Sequence, residues 1–171
     1  DHVTAMPEES MQNSPVDFVL TGGDYDFLLL NLCNVIKDVP SLSPFVLRPS
    51  PNLEPGIWYR QNGRINGTGQ FQLNHNLDTL PFIDRDLTKW RLYSEKNGNY
   101  KRLPGTYTMV GRDCWYHKCT FCSWTTTYPQ FRTRRPESLL NETGMLIEKY
   151  GVKEIMDDTG TFPIGEWLRD F

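Results

Sequence analysis

The chain has 171 residues, 38% hydrophobic and 13% aromatic, which is enough apolar material to bury a core and too much for a disordered tail. A formal net charge of −3 argues against a nucleic-acid partner held by bulk electrostatics. The longest apolar run, Phe27 to Cys33, contains Asn31 and falls far short of the roughly eighteen residues that cross a bilayer, so no membrane partner is expected either.

In chain order, Val16 to Leu20 reads as a short strand, Gly22 and Gly23 as a turn, and Asp24 to Lys37 as a helix. The apolar residues of that helix (Phe27, Leu28, Leu29, Leu30, Leu32, Val35, Ile36) cover nearly every face, which predicts burial inside a layered α/β domain. Pro40, Pro44, Pro49, Pro51 and Pro55 then break regular structure and mark a domain edge. Ile57 to Arg60 favours a strand, and Asn62-Gly63 is the dipeptide that best accepts positive φ at both turn positions, so a hairpin is predicted. The segment from Leu77 to Gly105 mixes charges, aromatics and turn residues without a sustained period and reads as a connector over a neighbouring surface.

Beyond Gly105 the pattern changes. A short strand runs into a loop, a helix spans Pro136 to Tyr150, and a second strand covers Val152 to Met156, which together make a βαβ unit. Pro136 suits a first helical turn, Leu139, Leu140, Met145, Leu146 and Ile147 supply an apolar stripe, and Gly151 ends the helix. The chain closes on the opening of a further helix. Neither half holds enough strands to close a sheet or barrel, so the sequence is expected to be part of a longer protein. A complete two-lobed protein of this size could bury little core in each lobe.

Three of the four cysteines, Cys114, Cys119 and Cys122, fall in nine positions as C-x4-C-x2-C. Thiols this close on a loop can converge on one metal centre. The fourth, Cys33, lies in the apolar helix and is expected to be a buried structural thiol. This pattern is unlike a secreted disulfide framework and predicts a reducing, cytoplasmic setting. A plant-type two-iron ferredoxin site shares the spacing but needs a further cysteine downstream, and none follows Cys122. A structural zinc site could recruit His117 as its fourth ligand. The remaining reading is a four-iron cluster on three cysteines, with one iron open to a small molecule.

The stretch GRDCWYHKCTFCSW, Gly111 to Trp124, resembles the cluster loop of radical S-adenosylmethionine enzymes. The spacing usual in that family is C-x3-C-x2-C, so this chain carries one extra residue between Cys114 and Cys119. The resemblance implies that Cys114, Cys119 and Cys122 bind a 4Fe-4S cluster whose open iron takes the amino and carboxylate groups of S-adenosylmethionine. Phe121 would sit beside the adenine, or else anchor the loop. In a βαβ unit the loop after the first strand and the end of the second share one edge of the sheet, which brings Asp157 and Asp158 near the cysteines. There the family keeps a motif for the amino group of S-adenosylmethionine; alternatively, both aspartates cap the following turn. Arg132, Arg134 and Arg135 precede a helix N-terminus, where solvent and Glu137 are expected to offset their charge, with an anionic ligand as the alternative.

Upstream, His2-Val3-Thr4, Pro7-Glu8-Glu9 and VDFVLTGGD resemble the later part of the cobalamin-binding domain that precedes the radical core in one large subgroup, and LDTLPFIDRDL resembles its connector. Gly22 and Gly23 would let backbone approach cobalamin, or serve a plain βα turn. The implied fold is α/β, with residues 1–52 as the end of a flavodoxin-like (Rossmann-type) domain, 53–104 as a connector with a hairpin, and 105–171 as the first βαβ unit of a partial (βα) barrel. The implied activity is a 5′-deoxyadenosyl radical enzyme, transferring methyl groups through cobalamin and served by an external electron donor and a substrate that the sequence does not identify. The rival expectation is a non-catalytic zinc or electron-transfer iron–sulfur module.

Overall fold

A computed structural model describes residues 2–37, 52–96 and 99–171, apart from the side chain of Thr126. The proline-rich stretch 40–51 lies outside the described residues. The chain forms two compact units, Asp1–His75 with Lys118–Pro129, and Asn76–His117 with Gln130–Phe171. The architecture is mixed α/β, with three small sheets among the described residues. No helix among the described residues is long and apolar enough to cross a membrane.

In the first unit two short helices, α1 (His2–Ala5) and α2 (Pro7–Gln12), lead to β1 (Phe18–Leu20) and α3 (Tyr25–Lys37). The predicted hairpin forms from β2 (Ile57–Gln61) and β3 (Arg64–Gly67), with Asn62 at φ 50° and Gly63 at φ 75° in a two-residue turn that matches the right-handed twist of the strands. β1 pairs antiparallel with β2, Val19 opposite Trp58, so strand and hairpin share one sheet. Helix α3 packs on that sheet through Leu28 and Leu32 against Ile57, flanked by Phe18, Leu20, Ile36 and Leu53.

The expectation that α3 is buried all round is corrected here. Leu29 and Leu30 are 51% and 61% exposed, and Cys33 is exposed as well. A helix resting on one small sheet covers one stripe, and Leu28 and Leu32 occupy it; Cys33 lies about 100° further round the axis. At the start of α3 the His75 ring is held between two carboxylates, with Nδ1 2.8 Å from Asp24 Oδ2 and Nε2 2.9 Å from Glu54 Oε2, and it stacks on Phe27.

The second unit contains α4 (Trp90–Lys96), β4 (Gly105–Thr108), β5 (Gly111–Arg112), β6 (Arg132–Thr133), α6 (Pro136–Tyr150), β7 (Glu154–Asp157) and α7 (Glu166–Asp170); α5 (Trp124–Thr127) belongs to the first. β4 and β7 are parallel, Thr108 opposite Asp157, and α6 lies between them in sequence, as the βαβ reading requires. Pro136 takes the first turn of α6, and Gly151 closes it in the left-handed conformation at φ 65°. In this unit α4, whose seven residues are too short to show a period, and the β5–β6 ladder of two-residue strands had no sequence signal. Trp90 from α4 packs edge-on against Tyr150, in a cluster with Leu146 and Val152.

The buried stripe of α6 is Leu139, Glu142, Leu146 and Tyr150, whereas Leu140 and Ile147 face out. Glu142, 3% exposed, accepts hydrogen bonds from Thr108 Oγ1 at 2.9 Å and from Arg134, and its other oxygen lies 3.7 Å from Arg85. Arg85 also donates to Thr106 Oγ1 and to the Tyr107 carbonyl. The basic run before α6 is therefore not simply solvated. Arg134 is buried and paired with Glu142, while Arg135 stays exposed and donates to Asp78. A buried guanidinium needs a counter-charge and full hydrogen bonding; Glu142 supplies the charge, and Ser138 and the Met109 carbonyl accept further bonds from Arg134.

Candidate functional site

The loop after β4 is fixed by the turn after β7. Asp157 Oδ1 accepts from Val110 N at 3.0 Å and from both the backbone N and the hydroxyl of Thr159. The Thr159 hydroxyl in turn accepts from Val110 N at 3.0 Å and Gly111 N at 2.9 Å. Further along, Thr161 Oγ1 accepts from Trp115 N at 3.2 Å, and the Trp115 indole N–H donates to the Phe162 carbonyl at 3.1 Å. Parallel pairing puts the C-terminal ends of β4 and β7 at one edge, so residues some 46 to 49 positions apart meet there.

Cys114 lies in this loop between two non-glycine residues in the left-handed region, Asp113 at φ 74° and His117 at φ 46°. Such backbone is uncommon for L-residues and persists where surrounding bonds enforce it. Partial burial pushes the Cys114 thiol up, but hydrogen bonds from the His117 and Tyr116 backbone N–H groups and the Thr161 hydroxyl outweigh that and hold it below the ordinary thiol value. The Nε2 atom of His117 is buried with no hydrogen-bond partner.

Cys119 and Cys122 belong to the first unit. They share one turn, in which Cys122 N donates to the Cys119 carbonyl at 3.2 Å, and the Cys122 carbonyl accepts from the Thr125 hydroxyl at 2.9 Å as α5 begins. Phe121, between them, is 90% exposed and so does not anchor the loop in a core. All three cysteines are free thiols of intermediate exposure. A set of three accessible thiols suits a soft-metal or iron–sulfur centre, and their chemistry fits the cluster implied by the sequence. Among the described residues, however, no three His, Cys, Asp or Glu side chains converge as a ready-made metal site.

Of the two aspartates, Asp157 holds the turn through Thr159 and reaches the loop after β4, whereas Asp158 is exposed and its backbone N donates to the Thr108 carbonyl. Gly22, at φ 84°, donates its N–H to Thr4 Oγ1, and a Cβ at this position would lie 2.5 Å from the Phe71 ring. Close packing with Phe71 therefore accounts for the glycine. Near it, an open groove of about 800 Å³ runs between the α1–α2 segment and the hairpin, lined by Thr4, Met6, Glu8, Trp58 and Phe71 among others. Gly23 is half-buried beside Asp24.

Sequence reasoning missed Thr159, Thr161 and Glu142. The threonines sit inside the stretch read for its aspartates, and hydroxyl groups that satisfy distant backbone leave no periodic trace. Glu142 had one available signal, its i+3 spacing from Leu139 and i−4 spacing from Leu146 within the inward stripe.

The chain is similar to a protein of Pyrococcus horikoshii named an uncharacterized methyltransferase, with 26% identity over 163 residues, covering 94% of this chain and 32% of that protein. It thus spans about a third of the length of this curated relative. No protein-family model matches the chain, and no solved structure does.

Proposed function

We propose that this chain is part of a methyl-transferring radical S-adenosylmethionine enzyme, with residues 105–171 opening its radical core, residues 1–52 ending a cobalamin-binding domain and residues 53–104 joining them. The observation that carries the reading is the Cys114 loop. It begins at the C-terminal end of a parallel strand, carries three free thiols within nine positions, and is tied to the turn after β7 by hydrogen bonds on either side of its first thiol. The similarity to an archaeal protein named a methyltransferase supports methyl transfer as the outcome.

In this reading Cys114, Cys119 and Cys122 hold a 4Fe-4S cluster. When bound, the cluster would supply one electron to S-adenosylmethionine, breaking its C5′–S bond to leave methionine and the 5′-deoxyadenosyl radical. The chain's own residues bind and orient. Phe121, solvent-facing between two ligands, offers a ring face to the adenine. Asp157 keeps the loop after β4 in place, and Asp158, the more exposed carboxylate, receives the S-adenosylmethionine amino group. The groove beside Gly22 and Gly23 is the place in the first unit for cobalamin. An external electron donor and a cytoplasmic setting complete the proposal.

The second reading, a zinc module, rests on the orphaned Nε2 of His117, three residues beyond Cys114. Anaerobic reconstitution with iron and sulfide separates the two. The primary reading expects a brown protein with the full four-iron complement and broad visible absorption. Stoichiometric zinc that resists displacement by iron, and is released by His117→Ala, would establish the second.

A further inference from the structure

In the stretch DDTGTF, residues 157–162, the hydroxyls of Thr159 and Thr161 join Asp157 in contacting the cysteine loop. Thr159 is tied to Val110 and Gly111, upstream of Cys114, and its hydroxyl is already engaged by Asp157. Thr161 reaches the residue after the cysteine, its oxygen accepting the Trp115 N–H at 3.2 Å. Next in sequence, the Phe162 carbonyl takes the indole N–H of Trp115. The peptide group that leaves Cys114 is thus held from the turn after β7.

We propose that Thr161 is a positioning residue for Cys114: by taking the Trp115 N–H, its oxygen fixes the backbone that presents that sulfur to a metal. The inference rests on the functional reading above insofar as Cys114 is taken as a ligand. The bond from the Trp115 N–H to Thr161 stands on its own. Ligand atoms are aimed by hydrogen bonds from outside the metal's immediate ligands, and losing one such partner commonly weakens metal binding by about 10- to 100-fold. Thr161 is only half-buried, so its side chain contributes little to packing, and the hydroxyl is the part with a specific partner. The bonds of Val110 and Gly111 to Thr159, and of the Trp115 indole to Phe162, would remain without Thr161, so the loop should loosen without the unit unfolding.

The test uses the full chain with Thr161→Val, which removes the hydroxyl at nearly constant volume, and Thr161→Ser, which restores it. Amide hydrogen exchange is followed in metal-free protein, with the Leu146 amide of the buried α6 stripe as the internal control. The expected result is exchange at Trp115 about tenfold faster in Thr161→Val, an unchanged Leu146 amide, and near wild-type behaviour in Thr161→Ser. Iron uptake under anaerobic reconstitution should fall in Thr161→Val and recover in Thr161→Ser. The proposal is overturned if Trp115 exchange is unchanged in Thr161→Val, if Leu146 accelerates equally, or if Thr161→Ser behaves as Thr161→Val does. It is also overturned if the wild type takes up iron and Thr161→Val loads it equally well. Failure of the wild type to take up any iron would refute the functional reading instead, and the exchange ratio would still decide whether Thr161 anchors the loop.

Discussion

Cys114 and the Cys119–Cys122 pair are five residues apart in sequence but are held by different means. Around Cys114, backbone at two left-handed residues and the hydroxyls of Thr159 and Thr161 from the turn after β7 define one geometry. The Cys119–Cys122 turn is closed by local bonds, at 3.2 Å between the two cysteines and 2.9 Å to Thr125, and Phe121 projects from it into solvent. The contrast assigns roles. The first thiol is fixed by long-range contacts that exist only once β4 and β7 are paired, whereas the other two sit on a short turn that can adapt to a cluster. The extra residue between Cys114 and Cys119 falls between the fixed part and the adaptable part.

The largest expected effect comes from the ligands. Serine at Cys114, Cys119 or Cys122 should each lower iron content on the order of tenfold or more, measured by metal analysis after reconstitution, while Cys33→Ser leaves it unchanged. Loss from only two of the three would dissolve the comparison. Next is the support beneath the fixed loop. Glu142→Gln leaves Arg134, and in part Arg85, buried without their counter-charge, and should destabilise the chain by about 3–5 kcal/mol in urea denaturation. Thr159→Val withdraws an acceptor from two backbone N–H groups and should cost about 1–3 kcal/mol, with faster exchange at Val110 and Gly111.

A smaller effect is expected from the exposed Asp86–Lys149 pair, 2.7 Å apart. The Lys149 ammonium beside Asp86 holds its carboxyl below the ordinary value, although the little desolvation it feels opposes this. Its contribution to stability is therefore complete above the unfolded-state carboxylate value and is lost as pH falls through the lowered folded one. Melting curves of Asp86→Asn and wild type should accordingly differ at neutral pH and converge in strong acid; a gap that widens on acidification would contradict the assignment. Smallest in stability is Phe121→Ala, expected within about 0.5 kcal/mol of wild type because the ring buries almost nothing. Its affinity for S-adenosylmethionine should nonetheless weaken by about 0.5–1.5 kcal/mol if the ring stacks on adenine.

What could be read in the sequence was what local chemistry dictates. Asn62-Gly63 specified a hairpin turn because few residues accept positive φ, and Pro136 and Gly151 bracketed α6 for the same kind of reason. The cysteine spacing was equally plain. What was not readable depends on partners distant in sequence. Leu29 and Leu30 look like core residues until α3 is found resting on one small sheet, and Arg134 looks solvated until Glu142 is seen inside an apolar stripe. Thr159 and Thr161 carry no pattern at all, since a hydroxyl that caps a backbone N–H 46 or more residues away is specified by topology and not by neighbours.

The central claim is an iron cluster with one corner open to S-adenosylmethionine. The most direct measurement is the electron paramagnetic resonance spectrum of the reconstituted, reduced protein with and without S-adenosylmethionine. The account predicts a signal whose g-values shift when S-adenosylmethionine is added and do not shift with methionine-free adenosine. A cluster signal indifferent to S-adenosylmethionine, with every iron held by the polypeptide, would contradict it.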